Sequence, residues 1–239
     1  AIHTYTLRSG MRLVVERIEG VRSAALTWLV PGGFAEDPES RQGRAAMWSE
    51  LLQRGCGDLD SRQHADAVDR LGASRSVAAG TYFMNLNATM LGERVADVLP
   101  LFTDMVLRPR MDADSVEPAR DLALQALDSL KDEPQERAML SARRRHFPAP
   151  INRSGLGDEP GIQSITHQEL IEGWKAVARP GRAIFAAAGA VDPDAFAAQL
   201  EELLSSWDGT SPEPVLTDEP PRGYAHDQDP SNQVQIVLL

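Results

Sequence analysis

The chain has 239 residues with 24 Lys+Arg against 35 Asp+Glu, a formal net charge of -11 and a sequence pI near 4.9. That balance argues against general nucleic-acid binding, because an acidic surface repels phosphates and gains nothing from counterion release. No apolar run approaches the ~18 residues of a membrane-spanning helix and no signal-peptide core opens the sequence, so the sequence reads as soluble; its one cysteine does not fix the compartment, bacterial cytoplasm or periplasm.

In chain order, Thr4–Leu7 and Leu13–Glu16 flank Ser9-Gly10 and predict a hairpin, the glycine supplying the positive φ of a tight turn. A third strand, Ser23–Val30, stops at Pro31-Gly32-Gly33. Ala45, Trp48, Leu51 and Leu52 fall at helical spacing and predict a helix over Gln42–Arg54. Arg62–Leu71 predicts another, capped by Ser61. From Ser74 to Met90 the period is two, with Tyr82, Met84, Leu86, Ala88 and Met90 on one face, a sheet pattern fed by the Ala79-Gly80 turn. The helical period returns over Val95–Val106 and ends before Arg108-Pro109. Asp112–Leu130 predicts a long helix with Val116, Ala119, Leu122, Ala126, Leu127 and Leu130 on its buried face, and Pro134–His146 a further one. Phe147–Gly161 is Pro- and Gly-rich loop. Then come a helix around Leu170–Val177, a short strand Arg182–Ala188, and a helix opened by Asp192-Pro193 as N-cap and first turn.

This order predicts an α+β domain, a mostly antiparallel sheet of five to six strands against several helices, over residues 1–207. Residues 208–232 hold five prolines and read as linker. Gln233–Leu239 reads as a strand that needs a partner, and is expected to be the first strand of a second domain absent from this chain.

Catalytic motifs are mostly missing. There is no G-x-S-x-G, no phosphate-binding G-x-x-x-x-G-K-[ST], no C-x-x-C and no H-E-x-x-H. The five histidines never stand at i, i+4, so no helical metal pair is visible. Gly155, Gly157 and Gly161 read as turn glycines. Cys56 follows a helix C-terminus, where the dipole raises a thiol pKa, and is read as inert. Asp112, Asp114 and Glu117 read as capping residues, and Arg143-Arg144-Arg145 as a solvated helix end.

Leu29-Val30-Pro31-Gly32-Gly33-Phe34-Ala35-Glu36 followed by Gly43-Arg44-Ala45-Ala46-Met47-Trp48-Ser49-Glu50-Leu51-Leu52-Gln53-Arg54-Gly55 resembles the zinc helix of the insulinase/pitrilysin (inverzincin) metallopeptidases, G-x-A-H-x-x-E-H-x-x-x-x-G. Weaker matches follow the same order: Leu7–Glu16, Leu71-Gly72-Ala73, Asn152–Asp158, Arg179-Pro180-Gly181 and Ala188–Asp192. In that family two histidines hold zinc, a glutamate between them is the general base, and a glutamate on a later helix is the third ligand. Here Ala46 and Glu50 match the histidines, Ser49 the base and Ala126 the third ligand, so every matching position has changed.

The resemblance therefore implies no catalytic residue, no metal and no cofactor in this chain, and no enzyme activity of its own. It implies a noncatalytic subunit or domain that pairs with a zinc-bearing sister subunit to form a chamber for a peptide or protein substrate. Arg75, Ser76, Val77 and Ala78 match the strand where an extended peptide would add to the sheet edge. The alternatives are a non-enzymatic binding or assembly module of a larger complex, and a divergent hydrolase using Glu50 with His64.

Overall fold

Alternating burial along the strands builds the sheet. In a computed structural model, which describes residues 1–217, 219–220, 223–228 and 234–239, β1 (Ile2–Thr6) and β2 (Arg12–Arg17) form the opening hairpin, with Gly10 at a φ of 85°. β3 (Ser23–Pro31) sends Ala24, Leu26, Trp28 and Val30 into the core. The period-two stretch is two strands: β6 (Ser74–Ala79) and β7 (Phe83–Leu91) pair antiparallel, and Met84, Leu86, Ala88 and Met90 are buried. β8 (Ile184–Gly189) inserts between β2 and β3, parallel to the first and antiparallel to the second. The six-stranded order is β1-β2-β8-β3-β7-β6, which leaves β6 on one edge. A small hairpin, β4 (Gly55–Cys56) and β5 (Leu59–Asp60), stands apart from this sheet.

Helices cover one face. They are α1 (Arg44–Leu51), α2 (Ser61–Arg70), α3 (Val95–Leu107), α4 (Val116–Ser129), α5 (Pro134–His146), α6 (Glu159–Ser164), α7 (His167–Val177) and α8 (Pro193–Leu203). Trp28 centres the core, its ring 5.3 Å from Phe185 and 5.2 Å from Trp207; offset and edge contacts of this kind add to the burial of large rings. Asp192 caps α8 by accepting from the Ala195 N–H at 2.9 Å, as its sequence predicts.

Three expectations change in detail. The cap of α2 is Asp60, not Ser61: its carboxylate accepts from Gln63 N–H while the Gln63 side chain accepts from Asp60 N–H, a reciprocal pair that satisfies two orphan donors at once. On α4 the buried residues are Val116, Ala119 and Ala123, and Leu122 is 42 % exposed. Val234–Leu239 form no strand and are mostly exposed, and Gln233 lies outside the described residues.

The loop glycines also do more than turn. Gly157 has a φ of 80°, and a Cβ there would lie 2.3 Å from the Cα of Gly43; Gly161 belongs to α6, and a Cβ on it would meet the Gln42 carbonyl at 2.4 Å. Gly157→Ala is therefore expected to lower stability by about 2–4 kcal/mol through left-handed strain and overpacking. Urea denaturation checks this, and an unchanged midpoint would contradict the close approach.

Candidate functional site

The three α1 positions expected to match the zinc motif, Ala46, Ser49 and Glu50, sit at i, i+3 and i+4 and share one half-buried face. Ala45, Met47, Trp48, Leu51 and Leu52 face the core instead. Ala126 is on α4, which packs against α1, and is exposed on the same line as buried Ala119 and Ala123. The structure thus carries the four positions on two packed helices.

Their chemistry does not fit zinc. Two of the four side chains are methyl groups. The Ser49 hydroxyl donates to the Ala46 carbonyl at 2.7 Å. Only the Glu50 carboxylate remains as an anionic donor, whereas a catalytic zinc site needs three nitrogen, sulfur or oxygen ligands from protein. Among the described residues no group of three or more His, Cys, Asp or Glu side chains is placed to hold a metal ion.

The scaffold around these positions is nevertheless firmly held. Gly43, with a φ of 105°, offers no side chain to cap α1, so Asp37 does it from upstream: its carboxylate accepts from Gly43 N–H at 3.0 Å and Ala45 N–H at 3.1 Å. Arg44 pairs with it at 3.6 Å, lies over the Trp48 ring at 4.5 Å and donates to the Glu36 carbonyl at 2.8 Å. The Trp48 indole donates to the Leu170 carbonyl at 3.0 Å. Burial pushes Asp37 up to about 6 against the pull of Arg44, and Glu36 up to about 7 against the pull of Arg182. For both acids the linked stability is present below their ordinary range near 4 and is lost as pH rises through 6 to 7.

Arg75, Ser76, Val77 and Ala78 lie on β6, whose outer edge pairs with no strand among the described residues. Ser76 and Ala78 are exposed, while Arg75 and Val77 turn toward the helices. Arg75 donates to the Gln53 carbonyl at 3.1 Å, tying this edge to the end of α1.

Beneath it, His64 is fully buried with neither ring nitrogen hydrogen-bonded. Its charged neighbours are Arg75 and Asp104, not Glu50, so the two members of the divergent-hydrolase pair face different surroundings. Burial first, and Arg75 second, push His64 down to about 4. Cys56 is pushed up to about 12, by burial ahead of Asp104, so desolvation more than a helix dipole keeps the thiol protonated. A histidine held below its ordinary value loses linked stability as pH falls from about 6.5 toward 4. His64→Leu removes that loss and two orphaned nitrogens, and its stability gain over wild type should be about 2 kcal/mol larger at pH 5 than at pH 7. Denaturant titrations at the two pH values measure this; equal gains would contradict a neutral buried His64.

The Asp37 cap, the Glu36–Arg182 pair and the Arg75–Gln53 tie were missed in the sequence, since none has a short-range spacing signature. At the other sites, Asp112 pairs with Arg110 at 2.8 Å and Glu117 with Arg120 at 3.3 Å. Arg143 donates to the Ile151 carbonyl, Arg145 pairs with Asp227, and Arg144 is exposed. No helix among the described residues is long and apolar enough to cross a membrane.

Residues 12–153 match the family described as Insulinase (Peptidase family M16). An uncharacterized zinc protease of Mycobacterium tuberculosis is 27 % identical over 202 residues, 84 % of this chain and 46 % of that protein. The probable mitochondrial-processing peptidase subunit beta of Arabidopsis thaliana is 21 % identical over 218 residues, 90 % of this chain and 41 % of that protein. Among solved structures, a peptidase M16 inactive domain from Pseudomonas fluorescens superposes with a TM-score of 0.81 at 20 % identity, covering 88 % of this chain and 52 % of that one. The chain spans about half the length of the curated relatives it matches.

Proposed function

Because the chain belongs to the insulinase family, peptidase family M16, we propose that it is a noncatalytic component of a peptidase of that family, pairing with a zinc-bearing partner to enclose a peptide-binding chamber. The observation that carries this reading is the contrast on α1: the helix is capped, ion-paired and packed by Asp37, Arg44 and Trp48, while the face that would present ligands carries Ala46, Ser49 and Glu50. Glu50 alone replaces neither three ligands nor a general base. The edge of β6 at Arg75–Ala78, which pairs with no strand among the described residues, supports a peptide-binding role, since backbone groups there can accept an added strand. On the same reading, residues 208–232 lead toward a second homologous domain, in whose presence Gln233–Leu239 would pair as a strand; by themselves Val234–Leu239 form none.

The test is reconstitution with a family subunit that bears an intact H-x-x-E-H. This chain alone is expected to cleave no peptide, and the mixture to cleave faster than the zinc-bearing subunit alone. Peptide cleavage by this chain alone would overturn the reading. Stable assembly only with a partner that lacks the motif would favour the assembly module instead.

A further inference from the structure

Residues 208–217 have linker composition and no helix or strand, yet they do not leave the domain as a free chain would. We propose that they form a fixed strap, latched by Arg182 at one end and by Ala149 at the other, which carries the polypeptide past the N-terminal anchor of α1.

The strap starts from a buried residue. Trp207 donates its indole N–H to the Ala178 carbonyl at 2.9 Å. The next contact is backbone to backbone, Gly181 N–H to the Gly209 carbonyl at 3.1 Å, and it is close enough that a Cβ on Gly181 would lie 2.3 Å from the Thr210 hydroxyl oxygen. Arg182 then acts as a hub. One guanidinium nitrogen, Nη1, donates its two hydrogens to Glu36 Oε1 at 3.1 Å and to the Pro212 carbonyl at 2.6 Å, with the Ser211 hydroxyl oxygen 3.4 Å away. Ser211 is buried by this arrangement.

The far end is a two-way bond: Thr217 N–H donates to the Ala149 carbonyl at 2.9 Å, and Ala149 N–H donates to the Thr217 hydroxyl at 3.1 Å. Between the latches the strap residues Pro212 to Val215 line, with Glu36, Asp37 and Arg153, an open cleft of about 320 Å³. Pro212 and Pro214 restrict the unlatched chain, so fixing this path costs less conformational entropy than it would for an ordinary linker. Because Arg182 holds Glu36, and Asp37 next to it caps α1, the strap and the helix of the degenerate zinc motif share one anchor. The path of the chain up to Thr217 is thereby fixed relative to α1. None of these contacts involves Ala46, Ser49, Glu50 or Ala126, so zinc binding by this chain would sink the proposed function and leave the strap standing.

Amide hydrogen exchange on the full chain tests it. In wild type, Thr217, Ala149 and Gly181 N–H should exchange at least about 10-fold more slowly than an unstructured reference. In Arg182→Ala/Glu36→Gln, where no buried carboxylate is left unpaired, protection of Gly181 and Thr217 should fall about 10-fold while β3 and β8 stay protected. Free exchange in wild type, or unchanged protection in the double variant, overturns the strap. If the double variant also loses protection in β3 and β8, Thr217→Val decides: loss of Ala149 protection alone supports the latch, and none overturns it.

Discussion

Replacing Asp37 by alanine is expected to destabilise the protein by about 3–5 kcal/mol, the cost of breaking a buried ion pair by removing one partner. The carboxylate caps two N–H groups at the start of α1 and neutralises Arg44, whose side chain is only 11 % exposed. Alanine leaves the guanidinium without its carboxylate and the helix start without an acceptor, at an end where orphan donors have no intrahelical partner. For a domain of this size the melting temperature should fall by about 6–20 °C. Asp37→Asn keeps an acceptor and loses only the charge, so it should fall between the two. A thermal melt of all three proteins checks the order; an alanine variant as stable as wild type would show that α1 is held by its packing alone.

The second large effect is a gain. Restoring histidine at 46 and 50 alone should create no peptidase, because Ser49 and Ala126 still lack a base and a third ligand. The quadruple change Ala46→His, Ser49→Glu, Glu50→His and Ala126→Glu supplies two histidines one turn apart on α1 and a carboxylate on the packed helix α4. That variant is expected to retain about one zinc per chain through gel filtration, the ligand number of a catalytic site. Metal content of the two variants separates them. Zinc retained by the double variant but not increased in the quadruple one would contradict the placement of Ala126.

Local patterns carried much of the fold. The Ser9-Gly10 turn, the Asp192-Pro193 helix start and the Pro134–His146 helix are legible because capping, turn chemistry and proline act over a few residues. That Ala46, Ser49 and Glu50 share one helix face was legible for the same reason, since i, i+3 and i+4 is a local relation. What was not legible depends on contacts distant in sequence. Asp37 caps a helix that begins beyond two intervening turns, at a glycine that carries no capping side chain. The buried face of α4 was drawn too wide because periodicity weighs leucine above alanine. The helix meets its neighbours through Ala119 and Ala123 and leaves Leu122 in solvent. Composition marked 208–217 as linker, but Arg182 and Ala149, which fasten it, lie some thirty to seventy residues away.

The proposed noncatalytic role rests on α1 keeping its supports while Ala46, Ser49 and Glu50 stand where ligands are expected. The most direct measurement is the zinc content of the purified wild-type chain after equilibration with excess zinc and removal of loosely bound metal. The account predicts far less than one zinc per chain, with no change in melting temperature on adding zinc. One tightly held zinc per chain, lost on substituting Glu50, would contradict it.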